Sequence, residues 1–298
     1  MAWFEQIPSL AWYDRVDYYV ASMPSPGAVR DLAARRALFV YAHQDDEYGV
    51  FPVIEELALA GGTAVCLYLT SGAFAGVPSS LRNQESLAVL GRMRVAAEDV
   101  HFVGEAQHIA DGQLHRHLEV AYNAASEIVA RYPRFDNVYI LAWEGGHQDH
   151  DAAHIVGLAL AQSLGLLDGT RQFSLYNGFG LPWILFRVLA PLRENGPIST
   201  SPIPWRKRLS YAFRCRSYPS QLGTWVGLFP FMLIDLVFSG VQRLQPVSME
   251  RLHAKPHPGP MLYERRGFLS YERFQNAVAP FVGRHMRPAH QRPREVAT

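Results

Sequence analysis

The stretch ALFVYAHQDDE, residues 37–47, joins a continuous apolar run to a histidine and three acids. Its apolar half has the composition of a strand that is buried on both faces of a parallel sheet. The polar residues that follow, where this strand must end, are His43, Asp45, Asp46 and Glu47. Three carboxylates and an imidazole at one point either repel one another or hold a positive charge. The stretch therefore predicts a buried strand with a polar site at its end.

Apolar strands and helical patterns alternate from residue 36 to residue 177. After the first strand, we expect further strands at 63–72, 99–104, 137–143 and 172–177, with helical patterns between them. This alternation predicts an open, mainly parallel sheet of Rossmann-like type with helices on both faces. In such sheets ligands bind at the carboxyl ends of the strands.

A second polar motif, EGGHQDHDAAH at residues 144–154, follows the strand predicted at 137–143. Its polar residues include His147, Asp149, His150, Asp151 and His154. Imidazole nitrogens combined with a carboxylate are typical ligands of zinc. Taken alone, each motif could consist of helix-capping acids and solvated histidines. Because both follow strands of one predicted sheet, we favour a shared site for a divalent cation.

The composition and the motifs argue against several other functions. The net charge is +1 with no clustered basic excess outside the C-terminal tail, so we expect no nucleic-acid partner. The sequence has no H-E-x-x-H, C-x-x-C or G-x-S-x-G motif, and no glycine-rich loop follows the first strand, which disfavours a dehydrogenase or methyltransferase. Two cysteines and a beginning without a secretory pattern lead us to expect a cytoplasmic location, with peripheral membrane contact left open.

Changes in composition divide the chain into four parts. We predict an N-terminal extension at 1–35, a Rossmann-like core at 36–177, an apolar part of helices and loops packed on the core at 178–283, and a disordered basic tail at 284–298. The apolar run 224–241 contains Pro230 and Asp235, so we predict no membrane span there. Two interpretations of this run remain open, a buried segment and an interfacial segment.

Both polar motifs resemble the signatures of the PIG-L/LmbE-like zinc-dependent N-deacetylases. AHQDDE at 42–47 is similar to A-H-P-D-D-E, and the second motif contains H-x-D-H. Weaker likenesses are the R-x-x-E helix in LRNQESLAVLG, the D-G-x-L turn in ADGQL and the late motif YPSQ at 218–221. Gln44 stands where the family usually has proline, so we expect a less rigid turn.

The resemblance implies a catalytic centre with one Zn²⁺ per chain. The implied ligands are His43, Asp46 and His150, which leave a position for water. Asp45 would act as the general base. His147 would stabilise the oxyanion, and Asp149 would orient an imidazole. Either Asp45, once protonated, or His147 could protonate the departing amine.

The resemblance also implies roles for the residues around this centre. Glu47 would hold the turn in shape. Arg82 and Asp111 would bind hydroxyl groups of a sugar. His154 would line the pocket or face a neighbouring helix, and Tyr218 and Gln221 would lie at its rim.

The implied function is a hydrolase that removes the N-acetyl group from an N-acetylated amino sugar or glycoconjugate. One alternative is an amidase of the same mechanism that acts on a thiol conjugate or another acyl amide. Another is a Rossmann-like binding protein without a catalytic metal.

The apolar segments between 178 and 246 allow two interpretations. They could pack against the sheet or against a second subunit in a homo-oligomer. They could instead form an apolar wall or a membrane-facing surface for a lipid-linked substrate. In the second case we expect Arg187 and Arg193 on the polar side of an interfacial helix, and breaks at Pro182, Pro191 and Pro230.

Overall fold

The computed structural model describes residues 35–74 and 76–286. The predicted N-terminal extension, apart from Arg35, and residues 287–298 of the predicted basic tail lie outside this described part.

A seven-stranded sheet forms the centre of the molecule, with the strand order β3-β2-β1-β4-β5-β9-β8. Its five parallel strands are β1 (Arg36–Tyr41), β2 (Thr63–Tyr68), β3 (Val100–Phe102), β4 (Asn137–Leu141) and β5 (Thr170–Phe173). The antiparallel strands at one edge are β8 (Ser199–Pro202) and β9 (Val241–Pro246). The predicted mainly parallel, Rossmann-like sheet is confirmed. The segment after residue 177, where we expected helices and loops, also supplies these two edge strands.

Helices surround the sheet. Those of the first part are α1 (Phe51–Leu59), α2 (Ser79–Arg92), α3 (Val103–Ala106), α4 (Leu118–Val129) and α5 (Gln148–Ser163). Those of the second part are α6 (Trp205–Phe213), α7 (Leu222–Ile234), α8 (Leu262–Arg265) and α9 (Tyr271–His285). Two short strands, β6 (Tyr176–Asn177) and β7 (Arg187–Val188), form a separate antiparallel pair. Helix α9 includes Arg284 and His285, the first two residues of the predicted disordered tail, and both contact Glu119.

Strand β1 is, with β2, among the most deeply buried strands of the sheet. It pairs in parallel with β2 on one side and β4 on the other, and Leu38 through Tyr41 are inaccessible to solvent. The rings of Phe39 and Tyr139 stack with their centroids 4.9 Å apart. A continuous apolar run at this position is therefore required by packing on both faces.

The chain order reverses between β1 and β4. From β1 the chain proceeds outward through β2 and β3, and it then returns to the other side of β1 to form β4 and β5. The connections diverge at the carboxyl ends of β1 and β4 and leave a crevice there, which is the usual ligand site of an open α/β sheet. Both polar motifs begin at these two strand ends.

Residues Pro219–Ser239 form a helical stretch that is long and apolar enough to cross a membrane, judged by length and composition alone, and only 17% of its most apolar window is buried. Pro230 lies inside α7, so our prediction that this proline would break the segment was wrong. A proline removes one backbone donor, and Val226, four residues earlier, lies on the exposed side of the helix, where water can bond to its carbonyl oxygen.

The segment 178–193 does not form the interfacial helix that we expected. Arg187 lies in β7, and Arg193 begins a single 3-10 turn. Positive φ angles at Trp183 (52°) and Leu189 (51°) are incompatible with a continuous helix through this segment.

Candidate active site

The first polar motif forms a tight turn between β1 and a 3-10 helix at Asp46–Val50. The Asp46 carboxylate accepts the backbone N–H groups of Ala42 (3.0 Å) and His43 (2.7 Å). Asp45 has a φ angle of 99°, in the left-handed region that non-glycine residues rarely occupy. The turn thus fixes the Asp46 side chain at the strand end and holds Asp45 in a strained conformation, a common feature of functional sites.

The second polar motif brings helix α5 to the same sheet edge. The Asp151 carboxylate accepts the N–H groups of Glu144 (3.2 Å) and Gly145 (3.1 Å), which shapes the turn before the helix. A Cβ atom on Gly146 would collide with the carbonyl oxygen of Tyr176. Glycine at this position therefore allows the loop to approach β6 closely and places His147 at the N-cap of α5.

Side chains from both motifs meet in the crevice. Two contacts of 3.2 Å join them, one between His150 Nε2 and Asp46 Oδ1 and the other between His43 Nε2 and Asp149 Oδ2. The ring centroids of His43, His147 and His150 lie 4.9–5.3 Å apart in each pair. The structure therefore brings the side chains of the two motifs together at one place.

Three carboxylates surround the His43 ring. Its Nε2 lies 3.2 Å from Asp149 and 3.3 Å from Asp111, and its Nδ1 lies 3.7 Å from Asp46. Burial would lower the pKa of His43, but Asp111 and the other carboxylates outweigh burial and raise it. The surroundings of this ring therefore favour positive charge.

The donor atoms fit a divalent cation such as zinc. Two sets of three donor atoms lie within 4.8 Å of one another, namely His43, His147 and His150, and His43, Asp111 and Asp149. Asp46, a predicted ligand, lies 3.2 Å from His150, close to the separation of roughly 3.3–3.5 Å between two ligands of a tetrahedral zinc. Within the described part of the chain, Nδ1 of the buried His150 has no hydrogen-bond partner.

His147 has the properties of a hydrogen-bond donor. Its Nδ1 accepts the N–H of Asp149 at 3.2 Å, so the neutral ring carries its proton on Nε2. Burial, reinforced by the neighbouring His43, lowers the pKa of His147 to about 4 and keeps the ring neutral. A protonated Nε2 can donate to an oxygen but cannot bind a metal, which distinguishes His147 from His43 and His150.

The imidazole beside the Asp149 carboxylate is that of His43, not that of His147. That carboxylate contacts His43 and accepts the N–H groups of Gly112 (2.5 Å) and Leu114 (3.0 Å). Only the backbone of Asp149 contacts His147. The side chain therefore positions His43 and ties the 111–114 turn to α5.

The pKa values of the two neighbouring aspartates are shifted in opposite directions. Burial raises the pKa of Asp45 to about 8, although Arg82 beside it acts in the lowering direction. Burial would also raise the pKa of Asp46, but the adjacent His150 outweighs it and lowers the pKa to about 2. Asp46 is thus held as a carboxylate, and Asp45 can exchange a proton near neutral pH.

Arg82 and Gln44 hold the turn of the first motif. Arg82 donates to the carbonyl oxygens of Gln44 and Gly72, both at 2.6 Å, and its guanidinium lies 3.4 Å from Asp45. The buried Gln44 side chain donates to Asn83 (2.5 Å) and to the carbonyl oxygen of Ser71 (3.2 Å). Gln44, where we expected a less rigid turn, thus ties this turn to α2 and to the loop after β2.

The late motif YPSQ folds back onto the two earlier motifs. Tyr218 is buried rather than at the rim, and its hydroxyl donates to Glu47 at 2.8 Å. Ser220 donates through its backbone N–H (2.8 Å) and its hydroxyl (2.5 Å) to Glu85 of α2. Glu47 also accepts the N–H of Asp45 at 2.9 Å, so it links the catalytic turn to the C-terminal part.

The cluster lies at the bottom of a cleft of about 900 Å³ that is open to solvent. One wall comes from the first part of the chain and includes Asp45, Arg82 and Asp111. The opposite wall consists of apolar side chains of α7, with Gln221 just before that helix. Residues of this wall that sequence patterns did not identify are Thr224, Trp225, Leu228 and Met232.

His154 does not line the cleft, so its predicted contact with substrate is wrong. It is buried one helical turn beyond His150, where α5 packs on β4, and its Nδ1 lies 2.7 Å from the carbonyl oxygen of Leu141. Sequence analysis also missed Glu144. Its buried carboxylate accepts the N–H groups of Leu175 (2.8 Å) and Tyr176 (3.0 Å) and so positions the Tyr176 ring beside His150. The sequence signal that could have identified Glu144 is an acid directly after a buried strand.

Comparisons with known proteins agree with this architecture. The family model described as PIG-L, GlcNAc-PI de-N-acetylase, matches residues 38–161. No curated protein sequence matches the chain.

Several solved structures share the fold. A deacetylase–bog complex from the biosynthesis pathway of teicoplanin is 18% identical with a TM-score of 0.55, and the match covers 72% of this chain and 98% of that chain. A pseudoaglycone deacetylase for an antimicrobial reagent is 17% identical with the same coverage and a TM-score of 0.55. The zinc-inhibited form of teicoplanin deacetylase is 17% identical, also with the same coverage, and has a TM-score of 0.54.

The matched region spans β1 through most of α5 and contains both polar motifs. Residues 38–161 of this chain therefore form a domain of the PIG-L family.

Proposed function

We propose that this protein is a zinc-dependent hydrolase that removes the N-acetyl group from an N-acetylated amino sugar or glycoconjugate. The proposal depends on one observation, the convergence of the two histidine–aspartate motifs at the bottom of a cleft in a PIG-L family domain. The name of the matching family, a de-N-acetylase, supports the same reaction class.

His43, Asp46 and His150 would hold the zinc ion. Zinc bound by three protein ligands lowers the pKa of a water molecule and polarises a carbonyl group. The chain contributes the fixed orientation of these ligands, since backbone N–H groups hold Asp46 and the Asp149 carboxylate contacts His43. Outer contacts of this kind set the orientation and basicity of metal ligands.

Asp45 would accept the proton of the attacking water. A base works best when its pKa lies near the working pH, and burial raises the pKa of Asp45 to about 8. Arg82 contacts Asp45 and two backbone carbonyls of the surrounding loops, so it keeps this carboxylate in place.

His147 would donate its Nε2 proton to the oxygen of the tetrahedral transition state. A donor that is already oriented in a water-poor site stabilises developing negative charge strongly. The departing amine needs a proton, which either Asp45, once protonated, or His147 supplies. Asp111, which lines the cleft beside His43, would accept a hydroxyl group of the substrate.

We include in this proposal a glycoconjugate carried by a lipid, because an apolar helix forms one wall of the cleft. The alternative substrate class, a thiol conjugate or another acyl amide, would use the same residues.

Mass spectrometry would test the proposal with a set of N-acetylglucosamine-containing compounds and N-acyl thiol conjugates, each with and without a chelator. We expect loss of one acetyl group from a sugar compound, abolished by the chelator and restored by zinc. Activity confined to thiol conjugates would favour the alternative amidase. Tight binding of a sugar without any acetyl loss would favour a non-catalytic binding protein.

A further inference from the structure

Helix α7 is apolar on two opposite faces. The inner face carries Trp225, Leu228 and Met232, which are buried and line the cleft. The outer face, continued by a π-helical turn at Asp235–Ser239, exposes Leu222, Val226, Ile234 and Phe238. Phe238 is 83% exposed, which is unusual for a phenylalanine in a protein that remains in water. The outer face is therefore an apolar surface without a partner within the described chain.

Neighbouring elements extend this surface. Helix α6 exposes Trp205, Leu209 and Phe213, and the loop before β7 exposes residues 183–185. The helices are in contact through the rings of Phe213 and Phe229 (5.9 Å), and the loop is joined to α7 through the rings of Phe186 and Phe231 (5.7 Å). We call the exposed side chains of residues 183–185, α6, α7 and the π-helical turn the docking surface. Contiguous apolar surfaces of this kind mark interaction sites.

The docking surface is also basic. Residues 195–234, where sequence analysis noted no basic cluster, contain five basic residues and no acid. Asp235, the first residue of the π-helical turn, pairs with Arg243 at 3.0 Å, so its charge is balanced within the chain. Arg206 and Arg216 are exposed and lie over the rings of Trp205 (6.0 Å) and Phe213 (4.8 Å). Neither forms an ion pair with a described residue.

Two other basic residues attach α6 to the core. Lys207 and Arg214 pair with Glu55 of α1 at 2.8 and 3.3 Å. The ends of α6 are therefore held while Arg206 and Arg216 remain available for an external anion.

We infer that the docking surface binds an anionic lipid bilayer, with α6 and α7 lying in the plane of the headgroups. Exposed aromatic side chains next to arginines are the composition of interfacial helices, and anionic headgroups match the excess positive charge. Crossing the bilayer would require α7 to remove Trp225, Leu228 and Met232 from the cleft wall. A symmetric pair of chains would bring two positive surfaces together, which opposes a homodimer through this face.

Docking in this orientation would place the cleft next to the headgroups, because the same helix supplies the cleft wall and the membrane contact. Phe74 (69% exposed) and Phe268 (59% exposed) also line the cleft near its opening. This inference goes beyond the proposed reaction and does not depend on it.

Vesicle flotation of the full chain would test the inference, with vesicles of phosphatidylcholine alone or with about one quarter phosphatidylglycerol. We expect binding to the anionic vesicles, weak binding to neutral ones, and release at about 1 M salt, where charges are screened. The double variant Arg206→Glu/Arg216→Glu should bind at least about 25-fold more weakly, since each arginine near an anionic surface contributes about a fivefold factor. Trp205→Ser/Phe238→Ser should also lose binding.

The matched control is Arg273→Glu/Val120→Ser, which changes exposed residues on α9 and α4 and should bind like the parent chain. The Asp45→Asn variant should also bind like the parent, so failure of the proposed reaction and failure of docking are distinguishable. Absence of binding to anionic vesicles would overturn the inference. Two other results would also overturn the inference. One is a dimer of the parent chain that the Trp205→Ser/Phe238→Ser variant no longer forms. The other is retention of the chain in vesicles after an alkaline carbonate wash, which would indicate a spanning helix.

Discussion

Two regions of the molecule depart from the usual distribution of residues in opposite directions. One is the crevice at the ends of β1 and β4, and the other is the outer face of α6 and α7. The crevice buries Asp46, Asp149 and His150, each at most 4% exposed. The outer face of α6 and α7 exposes Trp205 (65%) and Phe238 (83%). Charged groups usually lie in water, and large apolar groups usually lie in the core.

Both departures cost free energy in the isolated chain, and each indicates what would offset that cost. Buried carboxylates around an imidazole are stabilised by a cation, which the donor atoms of the crevice fit. Exposed aromatic side chains are stabilised by an apolar partner. Helix α7 belongs to both regions. Its inner face lines the cleft, and its outer face is part of the docking surface. The comparison indicates that the chemistry and the external contact depend on opposite faces of one helix.

The largest expected effect concerns the buried ligands. His150→Ala and Asp46→Asn should each lose tightly bound zinc and all measurable deacetylation, because two remaining ligands seldom hold the ion against water. His147→Ala should retain about one zinc per chain, since its Nε2 carries a proton. Metal analysis after dialysis checks these outcomes. Zinc loss in His147→Ala with retention in Asp46→Asn would assign the metal to the three histidines.

The next effect separates the base from the ligands. Asp45→Asn should keep zinc and lower kcat by roughly 10²–10⁴-fold, the usual contribution of a positioned general base. Asp46→Asn is the matched control, since the same change at the adjacent residue should act on metal content instead. If Asp45→Asn lost its zinc, Asp45 would be a ligand.

His147 should act on the transition state. His147→Ala should lower kcat by about 10²–10³-fold with little change in KM, as expected when one oxyanion donor is removed. Steady-state kinetics at full zinc occupancy provide the measurement. A change confined to KM would make His147 a contact to bound substrate.

A pair of substitutions on α7 compares its two faces directly. Leu228→Asn, on the buried face, should lower the free energy of unfolding by about 2–4 kcal/mol through lost apolar contacts and an unpaired amide. Val226→Asn, on the exposed face, should change it by less than about 0.5 kcal/mol. Urea unfolding of both variants checks this difference. Equal destabilisation would mean that the outer face is also packed in solution.

The smallest expected effect concerns the turn that holds Asp45. Gln44→Ala should cost about 1–3 kcal/mol of stability, because Asn83 and the Ser71 carbonyl lose their buried donor. Gln107→Ala, at an exposed position, is the control and should be nearly neutral. An unchanged free energy of unfolding in Gln44→Ala would show that Arg82 alone holds the turn.

Local patterns in the sequence were sufficient for the parallel strands and for the convergence of the two motifs. A strand such as β1 must be apolar on both faces, and the carboxyl ends of parallel strands lie at one edge of the sheet. His43 and Asp46 could therefore be placed beside the second motif before any coordinates were known, and only the resemblance to a known family selected His150 over His147. The same reasoning failed for His154, because helical spacing does not show which side of α5 packs against β4.

Tertiary structure alone decided three features. They are the edge strands, the roles of Asp149 and Glu144, and the two faces of α7. Strand β8 (STSP) has only four residues, and β9 (VQRLQP), although as long as β1, lacks the continuous apolar run of a buried strand. They are strands because β5 offers an open edge. Asp149 contacts His43, and Tyr218 contacts Glu47, across 106 and 171 residues of sequence. The sequence by itself determined that 222–238 is apolar, because composition is local. Whether those side chains face a core, a cleft or an outside partner depends on which distant elements pack against them.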